Sequence, residues 1–251
     1  CFVYNGKIGN RMKLIYIYHS CFALVGESFT VIIDYYKDSA LRPLVGLVHD
    51  ELLKRPEKLY VLSSHSHADH FNPEVLEWRD MHPDIQYVFS KDILENGLAR
   101  LNDACYLSRG DIWSDGVLEV EAFGSTDLGI SFLLRLDGKL IFHAGDLNNW
   151  HWKEESTEGE VREAENAYLA ELEILARRTN RVDLVMFPVD PRLGQEYMLG
   201  AKQFVDRFRV GMFVPMHFDE EYACANAFRE YAESRGVCFV ELTYRGEEFK
   251  I

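Results

Sequence analysis

Short apolar runs alternate with polar turns through the first half of the chain and predict a strand-rich fold. The runs "KLIYIYHS", "CFALVG" and "FTVIIDYY" are rich in β-branched and aromatic residues, and the polar triplet "GES" between the last two predicts a hairpin turn. "KLYVLSS" (58–64) predicts a short buried strand. "NPEVLEWRD" (72–80) begins with an asparagine cap and a proline, which is typical of a helix start. A strand at 85–90 and a helix at about 91–101 are predicted next.

The second half of the chain repeats this order of strands followed by helices. "GVLEVEAFGS", "GISFLLRL" and "KLIFHAGD" predict three consecutive antiparallel strands. Residues 153–178 form an acidic stretch that ends in an amphipathic helix. Strands at 182–190 and 211–218 and a last strand "VCFVEL" alternate with helices at about 197–208 and in "EEYACANAFREYAESRG". Two packed sheets with helices outside them would bury these apolar faces, which predicts an α/β (α+β) fold.

Composition and charge limit the classes of protein to consider. The chain has 251 residues, of which 47% are hydrophobic, and we expect one domain over residues 12–251 with residues 1–11 as an N-terminal extension. No apolar stretch approaches the roughly 20 residues of a membrane span, so no membrane partner is expected. A net charge of −14 without a basic cluster argues against nucleic acid. Five scattered cysteines, none spaced as CxxC, are typical of reduced thiols and predict a cytoplasmic protein.

The segment "SSHSHADHF" (63–71) contains three of the nine histidines. Alternate residues of an extended chain point to the same side, so His65 and His67 are predicted to project together from the end of a strand. Asp69 and His70 follow where the chain turns into the capped helix. The two pairs could flank one small volume, which favours one or two divalent metal ions over a merely polar or capping loop. Histidine and carboxylate ligands without a thiolate indicate Zn²⁺ first, with Mn²⁺ or Fe²⁺ as alternatives.

Two further residues lie at predicted strand ends. Asp146 follows the strand in "IFHAGD", and His217 ends the strand in "FVPMHF". Taken singly, Asp146 could cap a turn and His217 could be a packing residue. Because both come at the same kind of position as the histidine-rich segment, we predict that they belong to the same site.

The motifs "HSHADH", "HAGD" and "PMH", in this order, resemble the metallo-β-lactamase superfamily and its HxHxDH signature. The resemblance covers the chain from about Met12. "HSCFALVGESFTVIIDYY" and "DLVMFPVD" are more similar to the branch that contains lactonases and phosphodiesterases than to true β-lactamases. The resemblance implies a four-layer αββα sandwich with the metals at one edge between the sheets. It further implies that the first metal is held by His65 and His67, the second by Asp69, His70 and His217, and that Asp146 bridges both.

One ligand of the resembled family has no counterpart here. The family has a further first-site histidine just after the strand that ends near residue 124, where this chain reads "FGSTDLG". Ser125, Thr126 or Asp127 must replace it, and Asp127 is the candidate because it alone is anionic at neutral pH and a carboxylate binds Zn²⁺ or Mn²⁺ well. The alternative is that Asp127 only opens a turn and that the first metal site is incomplete.

The function these features predict is a metal-dependent hydrolase acting on a small molecule. A metal-bound hydroxide would attack an ester, lactone or phosphodiester. Asp69 would orient the hydroxide, and His143 would donate a proton or support a ligand from behind, unless it only points into the sheet core. The alternative is a non-catalytic or regulatory metal-binding protein on the same scaffold that has lost the first metal.

The segment from Trp150 to Arg178 directly follows the predicted ligand Asp146. "NNWHWKEESTEGE" carries two tryptophans before a stretch too polar to be core. We predict that it forms a wall or lid over the site with Trp150 or Trp152 lining the substrate pocket, the alternative being a solvated connector. His19 and His151 have weaker claims to a role in the site.

Overall fold

The computed structural model of the chain describes residues 12–251 and contains two seven-stranded sheets. The first sheet has the order β14-β1-β2-β3-β4-β5-β6. Strands β1 to β3 and β14 pair antiparallel, whereas β3 to β6 pair parallel. Its strands are β1 (Lys13–Tyr18), β2 (Cys21–Val25), β3 (Phe29–Ile33), β4 (Lys58–Ser63), β5 (Gln86–Ser90), β6 (Cys105–Leu107) and β14 (Glu247–Lys250).

The second sheet repeats this plan with the order β13-β12-β11-β10-β9-β8-β7. Its first four strands along the chain pair antiparallel, and β10 to β13 pair parallel. The strands are β7 (Ile112–Ser114), β8 (Leu118–Phe123), β9 (Ser131–Leu136), β10 (Lys139–His143), β11 (Arg181–Pro188), β12 (Arg209–Met216) and β13 (Cys238–Phe239).

Helices cover the outer faces of both sheets. The α-helices are α1 (Leu47–Asp50), α2 (Lys91–Glu95), α3 (Glu158–Arg178), α4 (Leu199–Arg207), α5 (Tyr222–Asn226) and α6 (Arg229–Ser234), and three 3₁₀ helices span Leu52–Lys54, Pro73–Asp80 and Pro191–Glu196. The longest, α3, starts with a capping box between Thr157 and Glu160, which satisfies two backbone donors at its first turn. The predicted four-layer αββα sandwich is confirmed.

The order of elements agrees with the sequence pattern, while several bounds differ. Asn72 caps the segment Pro73–Asp80 as predicted, but the segment is a 3₁₀ helix. The predicted helix at 91–101 ends at Glu95, and "VCFVEL" forms only the two-residue strand β13. The predicted extension at residues 1–11 lies outside the described residues, so the proposed domain boundary stays a prediction.

Both faces of the first sheet are buried, because its strands separate two hydrophobic clusters. Along β1, Leu14 and Tyr16 point between the sheets, whereas Ile15 and Ile17 pack on the outer side with the first helices. This alternation follows from the two-residue period of a strand. Strands buried on both faces are nearly all apolar, which is why the polar residues of interest occur where these strands end.

One edge of the sandwich collects the ends of seven strands. In the first sheet, β1 and β3 both pair antiparallel with β2, and β4 pairs parallel with β3, so β1, β3 and β4 run in the same direction. In the second sheet, β8 and β10 both pair antiparallel with β9, and β11 and β12 continue parallel from β10, so these four strands also share one direction. The segments after these strands therefore meet at one edge, between the two sheets. No helix among residues 12–251 is both long and apolar enough to cross a membrane.

Candidate metal centre

Two groups of histidines and carboxylates lie side by side at this edge. In each group the potential ligand atoms lie within 4.8 Å of one another. The first group comprises His65, His67, Asp127 and Asp146, and the second comprises His19, Asp69, His70 and His217. The structure thus brings together all seven metal ligands predicted from the sequence and adds His19 to them.

Asp146 lies between the two groups. Its Oδ2 lies 3.4 Å from Nε2 of His65 in the first group. Its Oδ1 lies 3.1 Å from Nε2 of His70 and 3.3 Å from Nε2 of His217 in the second. The two carboxylate oxygens therefore face different groups, which is the geometry of a bridging ligand.

The first group is completed at the surface by His67 and Asp127. Nδ1 of His67 lies 3.1 Å from Nε2 of His65 and 3.5 Å from Oδ2 of Asp127. His67 and Asp127 are about half exposed, whereas His65 is fully buried. The group thus runs from the core to the solvent and offers two nitrogens and two carboxylates.

Asp127 lies in the segment after β8, where the resembled family has its further histidine. Of the two other candidates there, Ser125 accepts a hydrogen bond from the Asp127 amide, and Thr126 exchanges hydrogen bonds with the backbone of Asn148. Because those hydroxyls hold the turn and Asp127 faces His67, Asp127 is the group that the geometry offers to a cation. Its binding of metal stays a prediction.

The second group is more buried and includes His19, a residue that the sequence reasoning ranked low. His19 Nε2 lies 3.4 Å from Oδ2 of Asp69, and its ring centroid lies 4.3 Å from that of His217. His19 has a φ of 58°, so the chain turns sharply after β1 and directs the ring into the cluster. The signal in the sequence was its position at a strand end, the same as that of Asp146.

Several buried atoms in the cluster have no hydrogen-bond partner among residues 12–251. They are Nδ1 and Nε2 of His19, Nε2 of His70, Nε2 of His217 and Oδ1 of Asp146. A buried polar atom without a partner costs about 1–3 kcal/mol, and such atoms are rare in stable folds. Nitrogen and carboxylate oxygen atoms that converge in this way fit a divalent cation such as Zn²⁺, Mn²⁺ or Fe²⁺.

A buried carboxylate, Asp34, orients two of these histidines. Its Oδ2 accepts hydrogen bonds from Nδ1 of His70 at 2.8 Å and from Oγ of Ser64 at 2.7 Å. Ser64 Oγ lies 3.0 Å from Nδ1 of His65 and can accept a hydrogen bond from that nitrogen. With Nδ1 on the side of Ser64 or Asp34, His65 and His70 each direct Nε2 at the cluster. Sequence reasoning missed Asp34, whose only signal was its position after the apolar run of β3.

Carboxylates also lie behind the other two histidines of the second group, although Nδ1 of His19 contacts its carboxylate without the geometry of a hydrogen bond. His217 Nδ1 donates to Oδ2 of Asp190 at 2.9 Å, and Asp190 also accepts from the guanidinium of Arg192. His19 Nδ1 lies 3.1 Å from Oδ1 of Asp219. The histidines of the second group therefore each have a carboxylate on the side away from the cluster, the arrangement that fixes metal-binding histidines in proteins.

The electrostatics of the cluster are dominated by burial and by mutual attraction. Burial raises the pKa of Asp146, but His70 and His217 outweigh burial and hold that pKa well below its ordinary value. Burial lowers the pKa of His70, but Asp146 and Asp34 outweigh it and hold the pKa well above its ordinary value. Burial also raises the pKa of Asp190, but His217 and Arg192 outweigh burial and lower that pKa to about 2. The carboxylates are thus ionised and favour positive charge in the cluster, as a protonated His70 or a divalent cation would provide it.

His143 does not face the open side of the site. It is fully buried, its Nε2 donates to the carbonyl of Ser20 at 2.9 Å, and its Nδ1 accepts from the amide of Gly145 at 3.1 Å. Burial lowers the pKa of His143. With both nitrogens bound to backbone, it is not placed to donate a proton to a substrate, which corrects that part of the prediction. It supports the ligand-bearing loops from behind, 3.8 Å from Asp34.

A cleft of about 290 Å³ opens onto both groups. It is lined by His67, Asp69, Thr126, Asp127, Asp146, Trp150, Trp152, Arg192 and His217. Trp150 is held by a hydrogen bond from Nε1 to the Asp146 carbonyl, and its ring lies 5.6 Å from that of His217. The prediction that Trp150 or Trp152 lines the pocket is confirmed for both. Concavities of about 650 and 800 Å³ lie elsewhere among the described residues, but neither contains a member of the two groups.

The fold and the site together define a class of protein that comparison with known families identifies. Residues 13–162, more than half of the chain, match the family model described as the β-lactamase superfamily domain. The chain therefore belongs to the β-lactamase superfamily, and the resemblance inferred from its motifs is confirmed, as is the prediction of an enzyme of this superfamily.

Individual relatives are distant. The chain is 23% identical over 231 residues to the UPF0173 metal-dependent hydrolase of Desulfitobacterium hafniense, covering 83% of this chain and 84% of the relative. Among solved structures, a metallo hydrolase of Ignicoccus hospitalis has a TM-score of 0.68 at 18% identity, covering 96% of this chain and 98% of its own. The diiron β-hydroxylase CmlA of Streptomyces venezuelae has a TM-score of 0.66 at 15% identity, covering 98% of this chain and 55% of its own. These structures share the fold.

Proposed function

We propose that the chain is a metal-dependent hydrolase that binds one divalent ion in each group and cleaves a small ester, lactone or phosphodiester in the adjoining cleft. The observation that carries this proposal is the convergence of His65, His70 and His217 on the two carboxylate oxygens of Asp146, together with the unpaired buried nitrogens of the second group. The family membership and the metal-dependent hydrolase of Desulfitobacterium hafniense support the same class.

Divalent ions in this position supply activation of water and polarisation of the bond under attack. The residues of the chain set where that chemistry occurs. Asp146 and the histidines behind it are buried, so the ions would be open to solvent only on the side of the cleft. A substrate in the cleft would therefore approach between His67 and Asp69, with Trp150 excluding water on one side.

Asp69 is the protein group best placed to orient a water molecule. Its side chain is 36% exposed at the cleft, while its Oδ2 lies 3.9 Å from Nε2 of His217. Burial raises the pKa of Asp69, but His19 and His70 outweigh it, and the net effect is a pKa far below the ordinary value. Because Asp69 is partly exposed at the cleft, we infer that it accepts a hydrogen bond from the water and positions it.

The test is metal content combined with turnover. Protein purified without chelators is analysed for bound metal and assayed with 4-nitrophenyl butyrate, γ-butyrolactone and bis(4-nitrophenyl) phosphate. We expect bound or readily acquired Zn²⁺, Mn²⁺ or Fe²⁺ and metal-dependent turnover of at least one substrate. His67→Ala combined with Asp146→Ala should remove most of the metal and the activity, whereas His82→Ala, remote from both groups, should change neither.

Two results would contradict the proposal. The first is a protein that carries no metal after purification and takes none up from solution. The second is a protein that binds metal at these residues but accelerates none of the three reactions, which would instead favour a binding or regulatory role.

A further inference from the structure

Arg192 is the one arginine or lysine that lines the cleft. It follows Asp190, which caps the 3₁₀ helix Pro191–Glu196, and its amide and guanidinium both bind the Asp190 carboxylate. The guanidinium Nε lies 2.9 Å from each carboxylate oxygen, and Nη2 lies 2.5 Å from Oδ2. This paired contact fixes the plane of the guanidinium, so its free edge has a defined direction.

The free edge belongs to a side chain that is more than half exposed and lines the cleft. The contacts of the guanidinium with Asp190 and His217 use Nε and Nη2 and leave Nη1 out. The Arg192 side chain is 56% exposed, although its partner Asp190 is almost fully buried. A guanidinium anchored from behind and open in front can bind a carboxylate or phosphate oxygen with little further loss of side-chain entropy.

The same cleft also has an aromatic lining. Trp150 and Trp152 both line it, and their rings are stacked with centroids 6.3 Å apart. Indole faces bind flat or apolar groups, and small-molecule sites usually combine such surfaces with a few polar groups that fix orientation. The remaining charged residues of the lining, Asp69, Asp127 and Asp146, belong to the two metal-binding groups. Arg192 is thus the charged group left to contact the part of a substrate that does not react.

We propose that Arg192 selects substrates that carry an anionic oxygen group, a carboxylate or a phosphate, at one end of a small apolar body held against Trp150 and Trp152. The inference rests on the proposed hydrolase function for the identity of the site and adds the substrate class. A cleft of about 290 Å³ limits that class to small molecules.

Binding is tested without turnover on the metal-loaded protein by quenching of tryptophan fluorescence. The probes are 4-nitrobenzoate, 4-nitrophenylphosphonate and the neutral 4-nitrobenzamide, which is close in shape to 4-nitrobenzoate. We expect an anionic probe to bind wild type at least about tenfold more tightly than the amide, a difference typical of a charge-assisted contact. The tighter of the two anions identifies the group. Trp150→Phe combined with Trp152→Phe should remove most of the quenching.

Substitutions at Arg192 separate recognition from support of His217. Arg192→Met should weaken binding of the preferred anion about tenfold and change binding of the amide by no more than about twofold. Arg192→Lys keeps the positive charge but loses the planar guanidinium, so its affinity for the anion should lie between those of wild type and Arg192→Met. Arg209→Met removes an exposed arginine at the start of β12, at the far end of the sheet from the site, and should change neither.

Three results would overturn the inference. The first is equal binding of all probes to wild type. The second is an anion preference that survives in Arg192→Met, which would assign the preference to the metals. The third is a loss of metal in Arg192→Met, which would show that the residue only holds Asp190. The proposed function is judged separately. Anion binding through Arg192 in a protein that hydrolyses none of the three substrates would leave this inference standing and refute the hydrolase.

Discussion

The carboxylate of Asp34 lies 2.8 Å from Nδ1 of His70, and both side chains are fully buried. Asp34 follows β3 and His70 follows β4, so two neighbouring parallel strands deliver the pair to the same edge. Burial raises the pKa of Asp34, but the imidazoles of His143 and His70 outweigh it and lower the pKa. An ionised Asp34 therefore fixes the His70 tautomer that offers Nε2 to a metal.

Asp34→Asn should weaken metal binding without touching any ligand. The amide introduced at position 34 can present its NH₂ group to Nδ1 of His70. Nδ1 would then have to be unprotonated, and the ring proton would lie on Nε2, the atom that would bind the metal. We expect a loss of about 10- to 100-fold in metal affinity, the usual effect of removing a partner behind a ligand. Competition with a chromophoric chelator measures it.

Asp38→Asn is the matched control for that substitution. Asp38 is also a buried carboxylate that holds a histidine, His49, through a 2.7 Å contact with Nδ1, but it lies outside both metal-binding groups. We expect it to lower stability and leave metal affinity unchanged. An equal loss of affinity in both variants would show that the effect is general unfolding.

Asp127→Ala should reduce the number of bound ions by removing one of the two carboxylates of the first group. Asp127→His should restore the count and shift preference towards Zn²⁺, because imidazole suits zinc better than it suits harder ions. Metal analysis after dialysis against Zn²⁺ and Mn²⁺ checks both variants. Asp84→Ala, an exposed aspartate elsewhere, is the control. An unchanged count in Asp127→Ala would make Asp127 a turn residue.

His19→Ala should weaken the second site, since a buried ring whose nitrogens lack hydrogen-bond partners would be lost from the cluster. We expect metal affinity to fall at least about tenfold, as for other losses in or next to a ligand set. His151→Ala also removes a buried imidazole, but both nitrogens of His151 contact backbone groups, so affinity should persist. Isothermal titration of the metal-stripped variants compares them, and equal affinities would remove His19 from the site.

Gly129→Ala should disturb the site through the backbone. Gly129 has a φ of 70°, and an added Cβ would lie 2.2 Å from the Ser64 carbonyl and 2.5 Å from Cβ of His65. We expect a loss of about 2 kcal/mol or more in the free energy of unfolding, together with weaker metal binding. Gly138→Ala has a similar φ of 74° with no atom within 4 Å, so it should cost only the conformational strain. Equal losses in denaturant titrations would contradict the steric argument.

Asp115 should make stability depend on pH in the acid range. Burial raises its pKa, but the ammonium of Lys58 and the hydroxyl of Tyr60 outweigh burial and lower it. Both partners lie on β4, so the contact joins the two sheets. A carboxyl with a lowered pKa stabilises the fold above its unfolded pKa of about 3.9, and this contribution is lost as the pH falls below that value.

Asp115→Asn should therefore cost about 1 kcal/mol at pH 7, a modest value because solvent screens the Lys58 contact. The difference from wild type should shrink below about pH 4. Urea titrations at pH 7 and pH 3.5 measure it, and a difference that is the same at both pH values would exclude an electrostatic origin.

Local patterns in the sequence were sufficient to predict most of the ligands. His65, His67 and Asp69 lie close together in the chain, and the two-residue strand period and the helix cap fix their directions. Their positions at strand ends then connected Asp146 and His217 with them, and the resemblance to the superfamily divided the set between two metals. The three antiparallel strands of the second half and the acidic helix α3 were also predictable, because their periods are long enough to read.

The residues that were missed act only through contacts between distant segments. Nothing near Asp34 in the sequence shows that His70 will lie against it, and Asp190 shows no sign of His217. His19 is a lone histidine after a strand, a common feature with many uses. The sequence could not show that His143 is not placed for proton donation. Its burial and its hydrogen bond to Ser20 depend on the facing sheet. Short elements such as β13 depend on a neighbouring strand and leave too few residues for a pattern.

The two metal-binding groups draw their members from both sheets, and this has a mechanical consequence. His19 and His70 come from the first sheet and His217 from the second, yet their rings lie within contact of each other. An ion held by them would cross-link parts of the chain that are nearly 200 residues apart in the sequence, so it would oppose sliding of one sheet over the other. Removing the ions with a chelator would therefore weaken the association of the two sheets, and the unfolding of the protein would become less cooperative.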